Sequence, residues 1–166
     1  MTAPPADLQN YLPTLYLLNP TSLAKRTALQ KLHVDVCSYN VDIAVIVETW
    51  FKKQHSDNSV SVSGFTLFRR DRLRRRGGGV AIYVKDSLGA KLCMDGVQTH
   101  DQRIELLWIQ VQLGNRTLVI GALYHPPKPL YSQAELLQEL ERSFDVIIKY
   151  PDDTVVILAG DFNKLP

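Results

Sequence analysis

Cysteine is scarce in this chain of 166 residues: Cys37 and Cys93 are the only two, far apart and without a CxxC pair. A disulfide framework needs more cysteines at set spacings, so reduced thiols are expected. The same scarcity, together with four scattered histidines, excludes a zinc site, whose ligands come at short fixed intervals. Long apolar runs are missing too. Nothing approaches the ~20 apolar residues of a membrane helix. The stretch at residues 11–18 is short, broken by Pro13 and preceded by no basic leader. An intracellular location and no membrane partner are therefore expected. Repeats and low-complexity tracts are lacking, and 45% hydrophobic with 22% charged residues argues against disorder. The length suits one domain with a sizeable core.

Charge is close to balanced, at +2, but unevenly placed. Residues 69–76 hold six arginines and one aspartate, a local +5 that leaves −3 for everything else. Such a patch suits a polyanionic partner. Its bland reading is a solvated hairpin tip.

Residues 1–14, with Pro4 and Pro5, read as a loose lead-in, and residues 15–166 as the domain. Residues 15–18 form a short apolar strand, closed by Asn19-Pro20. Thr21 or Ser22 can cap a helix whose stripe is Leu29, Leu32 and Val36. Residues 42–47 are almost continuously apolar, which predicts a strand buried on both faces and ending on Glu48-Thr49-Trp50. Strand, helix and strand of this length make a βαβ unit. Two hairpins follow, residues 65–70 with 80–84 and residues 104–113 with 117–124. Ser132 and Glu135 form a capping box, and Leu137, Leu140, Phe144 and Ile148 give that helix its expected buried stripe. Gly77-Gly78-Gly79 precedes a strand rather than a helix, so turn and close packing are favoured over a nucleotide loop.

The last predicted strand, residues 154–163 (TVVILAGDFN), is the most telling. Val155, Val156, Ile157 and Leu158 read as buried, and Ala159-Gly160 lets the backbone come close to a neighbour. Asp161 and Asn163 then share a face, as residues i and i+2 do in extended chain. Four predicted strands thus end in polar groups: Asn19, Glu48, Tyr124-His125, and Asp161 with Asn163. Catalytic groups in α/β sheets gather beyond strand ends, although Asn and Asp also end strands for turn reasons. A carboxylate directly after an apolar run must find solvent or a partner, because unpaired burial is costly. One carboxylate and an amide oxygen, completed by water and substrate phosphate, is a usual way of holding Mg²⁺.

Asn19-Pro20-Thr21-Ser22-Leu23, Glu48-Thr49-Trp50, the GGGVAIYV of residues 77–84, Tyr124-His125-Pro126-Pro127 and Gly160-Asp161-Phe162-Asn163 occur in the order of one family. The sequence resembles the endonuclease/exonuclease/phosphatase superfamily, and within it the apurinic-type endonuclease domain of non-LTR (LINE-like) retrotransposons. The resemblance implies a four-layer α/β sandwich, two mixed sheets face to face with helices outside, incomplete at its C-terminus. It implies a Mg²⁺-dependent DNA endonuclease, Mn²⁺ being an alternative ion, that nicks a target strand to prime reverse transcription. In a full-length element a reverse-transcriptase domain would lie on the same polypeptide, and the nucleus would be the place of action. By the same resemblance Glu48 is the principal metal ligand with Asn19 beside it. Tyr124 bonds the scissile phosphate or the leaving oxygen, Asp161 orients and deprotonates water, and Asn163 steadies the phosphate. Arg70, Arg72, Arg74, Arg75 and Arg76 would meet nucleic acid, as would His125, for which a structural role is the stronger reading.

One departure is large. The family closes its site with a Ser-Asp-His segment and a preceding Asp, and here His33, His55, His100 and His125 all come before the GDFN strand. The chain is therefore expected to be a truncated copy, inactive or nearly so, with open sheet edges. Alternatives left open are a non-catalytic DNA-binding fragment using the arginine patch, a small-phosphoester phosphatase of the same superfamily, and a relic without a stable fold.

Overall fold

Apolar runs in this chain are short and alternate with turn residues, and in a computed structural model they become strands of two four-stranded sheets. The structure describes residues 11–73, 75–94 and 96–163. Most of the expected lead-in, Arg74 and the last three residues of the expected domain lie outside the described residues. The first sheet contains β1 (Leu15–Leu18), β2 (Ile43–Val47), β3 (Phe65–Arg70) and β4 (Val80–Lys85), in the order β1-β2-β4-β3. β1 and β2 are parallel and joined through α1 (Arg26–Ser38), the expected βαβ unit, whereas β3 and β4 form the expected hairpin. The second sheet runs in chain order: β5 (Lys91–Leu92), β6 (Glu105–Leu113), β7 (Arg116–Tyr124) and β8 (Val155–Asp161). β6 and β7 are the second hairpin, and α2 (Gln133–Ile147) crosses over to place β8 parallel to β7.

Period-two alternation divides the core into layers. Ile43, Val45 and Val47 of β2 face Leu107, Ile109 and Val111 of β6 and Leu118, Ile120 and Ala122 of β7 in the cluster between the sheets. The opposite face of β2, Ala44 and Ile46, packs with Leu32 and Val36 of α1. Leu106, Trp108, Val119 and Leu123 pack with Leu136 and Ile147 of α2. The result is helix, sheet, sheet, helix, the four-layer sandwich expected. At Gly121 a Cβ would run into the Trp108 ring and Leu158, so the absence of a side chain there makes room for the indole.

Three local expectations are corrected. α1 is not capped by Thr21 or Ser22; its N-cap is Lys25, with no side-chain hydrogen bond. Thr21 and Ser22 sit at φ 49° and 109°, where the Ser22 and Ala24 amides donate to the carbonyls of Glu48 and Thr49, both at 3.0 Å. The buried stripe of α2 is displaced by one residue: Leu136, Ser143 and Ile147 are buried, Leu140 is partly so, and Leu137, Phe144 and Ile148 are exposed. Ser143 disguised that face. It is buried because its hydroxyl donates to the carbonyls of Val97 and Glu139. Finally, β8 is half-covered, with Val155 and Val156 exposed, because among the described residues it is an edge strand paired on one side only. The capping box at Ser132 and Glu135 is formed as expected.

Candidate active site

β1, β2, β7 and β8 all point their C-terminal ends to one edge of the sandwich, two from each sheet. The residues that end them meet there. Asn19 Nδ2 donates to Glu48 Oε1 at 3.1 Å and to Asp161 Oδ2 at 2.9 Å, bridging a carboxylate of one sheet to a carboxylate of the other. Tyr124 Oη donates to the same Glu48 oxygen at 3.0 Å. Tyr124 and Asp161 are paired positions on neighbouring strands. The other Glu48 oxygen accepts from Trp50 Nε1 at 3.3 Å. Gly160 is the close approach expected: any side chain there would meet the Leu123 carbonyl.

Backbone strain collects at the same edge. Glu48 (φ 53°), Trp50 (φ 59°) and Asn163 (φ 44°) take left-handed conformations that cost non-glycine residues free energy. The Glu48-Thr49-Trp50 turn is held by Thr49 and Trp50 amides donating to the carbonyls of Gly79 and Gly78 at 3.2 and 2.8 Å. The three glycines 77–79 all have positive φ, and Cβ atoms on them would press on Trp50, on the Arg72–Glu105 pair and on Thr49. They serve turn and close packing.

Residues 17–165 match the model of the Endonuclease/Exonuclease/phosphatase family. The chain belongs to that family. No curated protein sequence matches it significantly. Among solved structures, one similar to this family member is the endonuclease domain of TRAS1, a telomere-specific non-LTR retrotransposon, at 16% identity and TM-score 0.64, covering 93% of this chain and 63% of that one. An AP endonuclease from Archaeoglobus fulgidus is similar at 18% identity and TM-score 0.58, with 93% and 59% covered. D. rerio TDP2 complexed with single strand DNA product gives 19% and 0.56, with 92% and 61% covered. Identities this low establish the shared fold, that of a nuclease and phosphodiesterase family. The chain spans 63% of the length of the TRAS1 domain.

In this family member the buried carboxylate nearest the strand ends is one that sequence reasoning missed. Glu105, at the start of β6, is 2% exposed, and it accepts from the Gly79 amide and from Arg72 Nε, the latter at 2.6 Å. Burial pushes its carboxyl up, against the pull of the Gly79 N–H and Arg72. The Arg72 guanidinium in turn lies 5.5 Å from the centre of the Tyr124 ring. Burial, and then the bond to Glu48, hold the Tyr124 phenol above its ordinary range, so it stays a protonated donor. The signal for Glu105 was available: a carboxylate bordering an apolar run, but preceding it.

The remaining residues separate. Arg70 is turned inward, donating to the carbonyls of Thr99, Asp101 and Ile104 at 2.8–3.2 Å. Arg69 pairs with Asp57 and Asp71. Arg75 and Arg76 are exposed; Arg75 donates to the Lys128 carbonyl and Arg76 lies 5.4 Å from the Trp50 ring centre. His125 is buried, its Nδ1 3.1 Å from Tyr131 Oη, and burial lowers its pKa. Asn163 is exposed, with Nδ2 donating to the His125 carbonyl at 2.8 Å and its own amide donating to Asp161 Oδ1 at 3.0 Å.

Among the described residues no three His, Cys, Asp or Glu side chains cluster as a metal cage. The Glu48 and Asp161 carboxylates converge nonetheless, and every group at the edge is a hard oxygen or an N–H. That set fits Mg²⁺, which takes one or two carboxylates and leaves the rest to water and phosphate. Asn19 presents its nitrogen to both carboxylates, because its Oδ1 accepts from the Thr21 amide at 3.1 Å. Among the described residues no helix is long and apolar enough to cross a membrane.

Proposed function

We propose that this chain is a Mg²⁺-dependent DNA phosphodiesterase of the retrotransposon endonuclease type, Mn²⁺ being able to substitute, and that it nicks DNA only slowly. The convergence of Glu48 and Asp161 on the single Asn19 amide carries the reading. In the complete element the nick would prime a reverse transcriptase on the same polypeptide, in the nucleus. The fold shared with a non-LTR retrotransposon endonuclease domain and the exposed arginines beside the site support a DNA substrate over a small phosphoester. Glu48 would hold the cation, which when bound would neutralise charge developing on the phosphate. Asp161 is the base for an attacking water, positioned by its bonds from Asn19 and the Asn163 amide. Tyr124, a protonated donor, is placed for a phosphate or leaving oxygen. Asn163 holds the β8 end to the His125 carbonyl. None of the described histidines bonds Glu48 or Asp161, so among the described residues no histidine positions the base. Such a group is typically worth ~10²–10⁴ in rate.

Relaxation of supercoiled plasmid tests this. Nicking should be weak, should require Mg²⁺ or Mn²⁺, and should vanish with chelator and in Glu48→Ala. Nicking that survives Glu48→Ala would sink the reading. DNA binding without any metal-dependent nicking would select the non-catalytic DNA-binding alternative.

A further inference from the structure

The exposed arginines have company that the basic run does not announce. Lys52 and Lys53, just past the Glu48-Thr49-Trp50 turn, are exposed and enter no ion pair among the described residues. Lys52 borders two recesses, about 470 and about 450 Å³. The first is bounded by Trp50 and Arg76, the second by Lys53, Arg75 and Arg76, and both share Lys52, Gln54 and Arg76. They therefore form one groove, from the indole that touches Glu48 to the tip of the β3–β4 hairpin. Among its described lining residues the one acidic side chain, Asp71, is already paired with Arg69 at 3.4 Å.

We propose that this groove is the path of an unpaired DNA strand leading to the Glu48 site. Its phosphates lie along Lys52, Lys53, Arg75 and Arg76, and one base lies against the Trp50 indole. The inference rests on the DNA phosphodiesterase reading and adds which side of the site the strand occupies and in what state. Cations in series along a groove follow a phosphate backbone without reading sequence. An indole at the groove's inner end meets a base face only if that base has left its stack, which is the usual device of single-strand binding. Trp50 also carries the strain and the bond to Glu48 described above, so a base seated on it is registered against the metal ligand.

The test is binding in chelator, where no cutting occurs. Of the two tryptophans Trp50 is half-buried, with Arg76 5.4 Å from its ring centre, and Trp108 is fully buried. An oligothymidylate should quench the Trp50 emission saturably and protect it from acrylamide, and Trp50→Phe should abolish the quench. Lys52→Glu/Lys53→Glu, at two exposed positions and with a cooperative melt as the folding control, should weaken binding by roughly tenfold at moderate salt. It should also flatten the slope of log K against log salt by about 1.4, the value for two lost single-strand phosphate contacts. Wild-type affinity and slope in that variant, a quench that persists in Trp50→Phe, or tighter binding to a blunt duplex of equal length would each overturn the path. If these binding results hold while plasmid nicking is absent, the path stands and the hydrolytic reading falls. If nicking holds while Lys52→Glu/Lys53→Glu binds DNA normally, the path falls alone.

Discussion

Two carboxylates aimed at one small volume repel each other, and the groups around Glu48 and Asp161 can be read as the answer to that repulsion. Asn19 places one N–H group toward each, Tyr124 and Trp50 donate to Glu48, and the Asn163 amide donates to Asp161. Apart from Trp50, these residues were legible in the sequence because each ends or follows an apolar run with a polar atom. Glu105 was not, because it opens a strand instead of closing one and its partner Arg72 lay inside what looked like an undivided basic run. His125 shows the reverse case, a polar residue at a strand end that is held by packing. Its ordinary pKa of 6.5 is lowered by burial against Tyr131, so below pH ~6.5 the unfolded chain takes up the proton before the fold does. Stability from this residue is fully present above that pH and is lost as pH falls toward the depressed folded value. Melts at pH 7.5 and 5.5 should show a larger loss of Tm in the wild type than in His125→Gln. Equal losses would mean that the imidazole is free to charge in place.

At the scale of elements, strands were easier to foresee than the orientation of helices. Runs such as residues 43–47 and the alternation of residues 107–113 can bury their apolar side chains in only one arrangement of a sheet. α2 offers two adjacent stripes that share Leu140, and apolar content alone favoured the wrong one. Ser143, with both neighbouring carbonyls as acceptors, fixed the choice. The start of α2 was legible because it depends on local chemistry. Ser132 accepts from the Glu135 amide at 3.2 Å, and the Glu135 carboxylate accepts from the Ser132 amide at 2.6 Å. That bond, then Arg103, holds the Glu135 carboxyl down to about 2. α2 covers the outer face of the second sheet, so loss of its cap is felt globally. Ser132→Ala should lower unfolding free energy by about 1 kcal/mol in urea, with an unchanged m-value. A change under a few tenths would show that the Glu135–Arg103 pair alone fixes the helix start.

For the whole molecule, the consequence of these orientations is an apolar surface on one side. Phe144, Ile148 and Val156 border a recess of about 350 Å³, and Leu137 and Val155 are exposed close by in sequence. Among the described residues the outer edge of β8 has no strand partner. Phe144 is not idle, since it meets Trp108 edge-on at 5.8 Å, but 41% of it is open to solvent. Contiguous apolar surface beside an unpaired edge is where soluble proteins associate. The molecule should therefore bind an apolar fluorescent dye while natively folded, and its sedimentation should depend on concentration. Ile148→Glu with Val156→Lys replaces two exposed side chains that contribute little to the core. It should cut the dye signal several-fold and remove the concentration dependence while leaving a cooperative melt. Dye binding that persists in that variant with a broad, non-cooperative melt would instead mean that the core itself is loose, and would favour a chain without a stable fold.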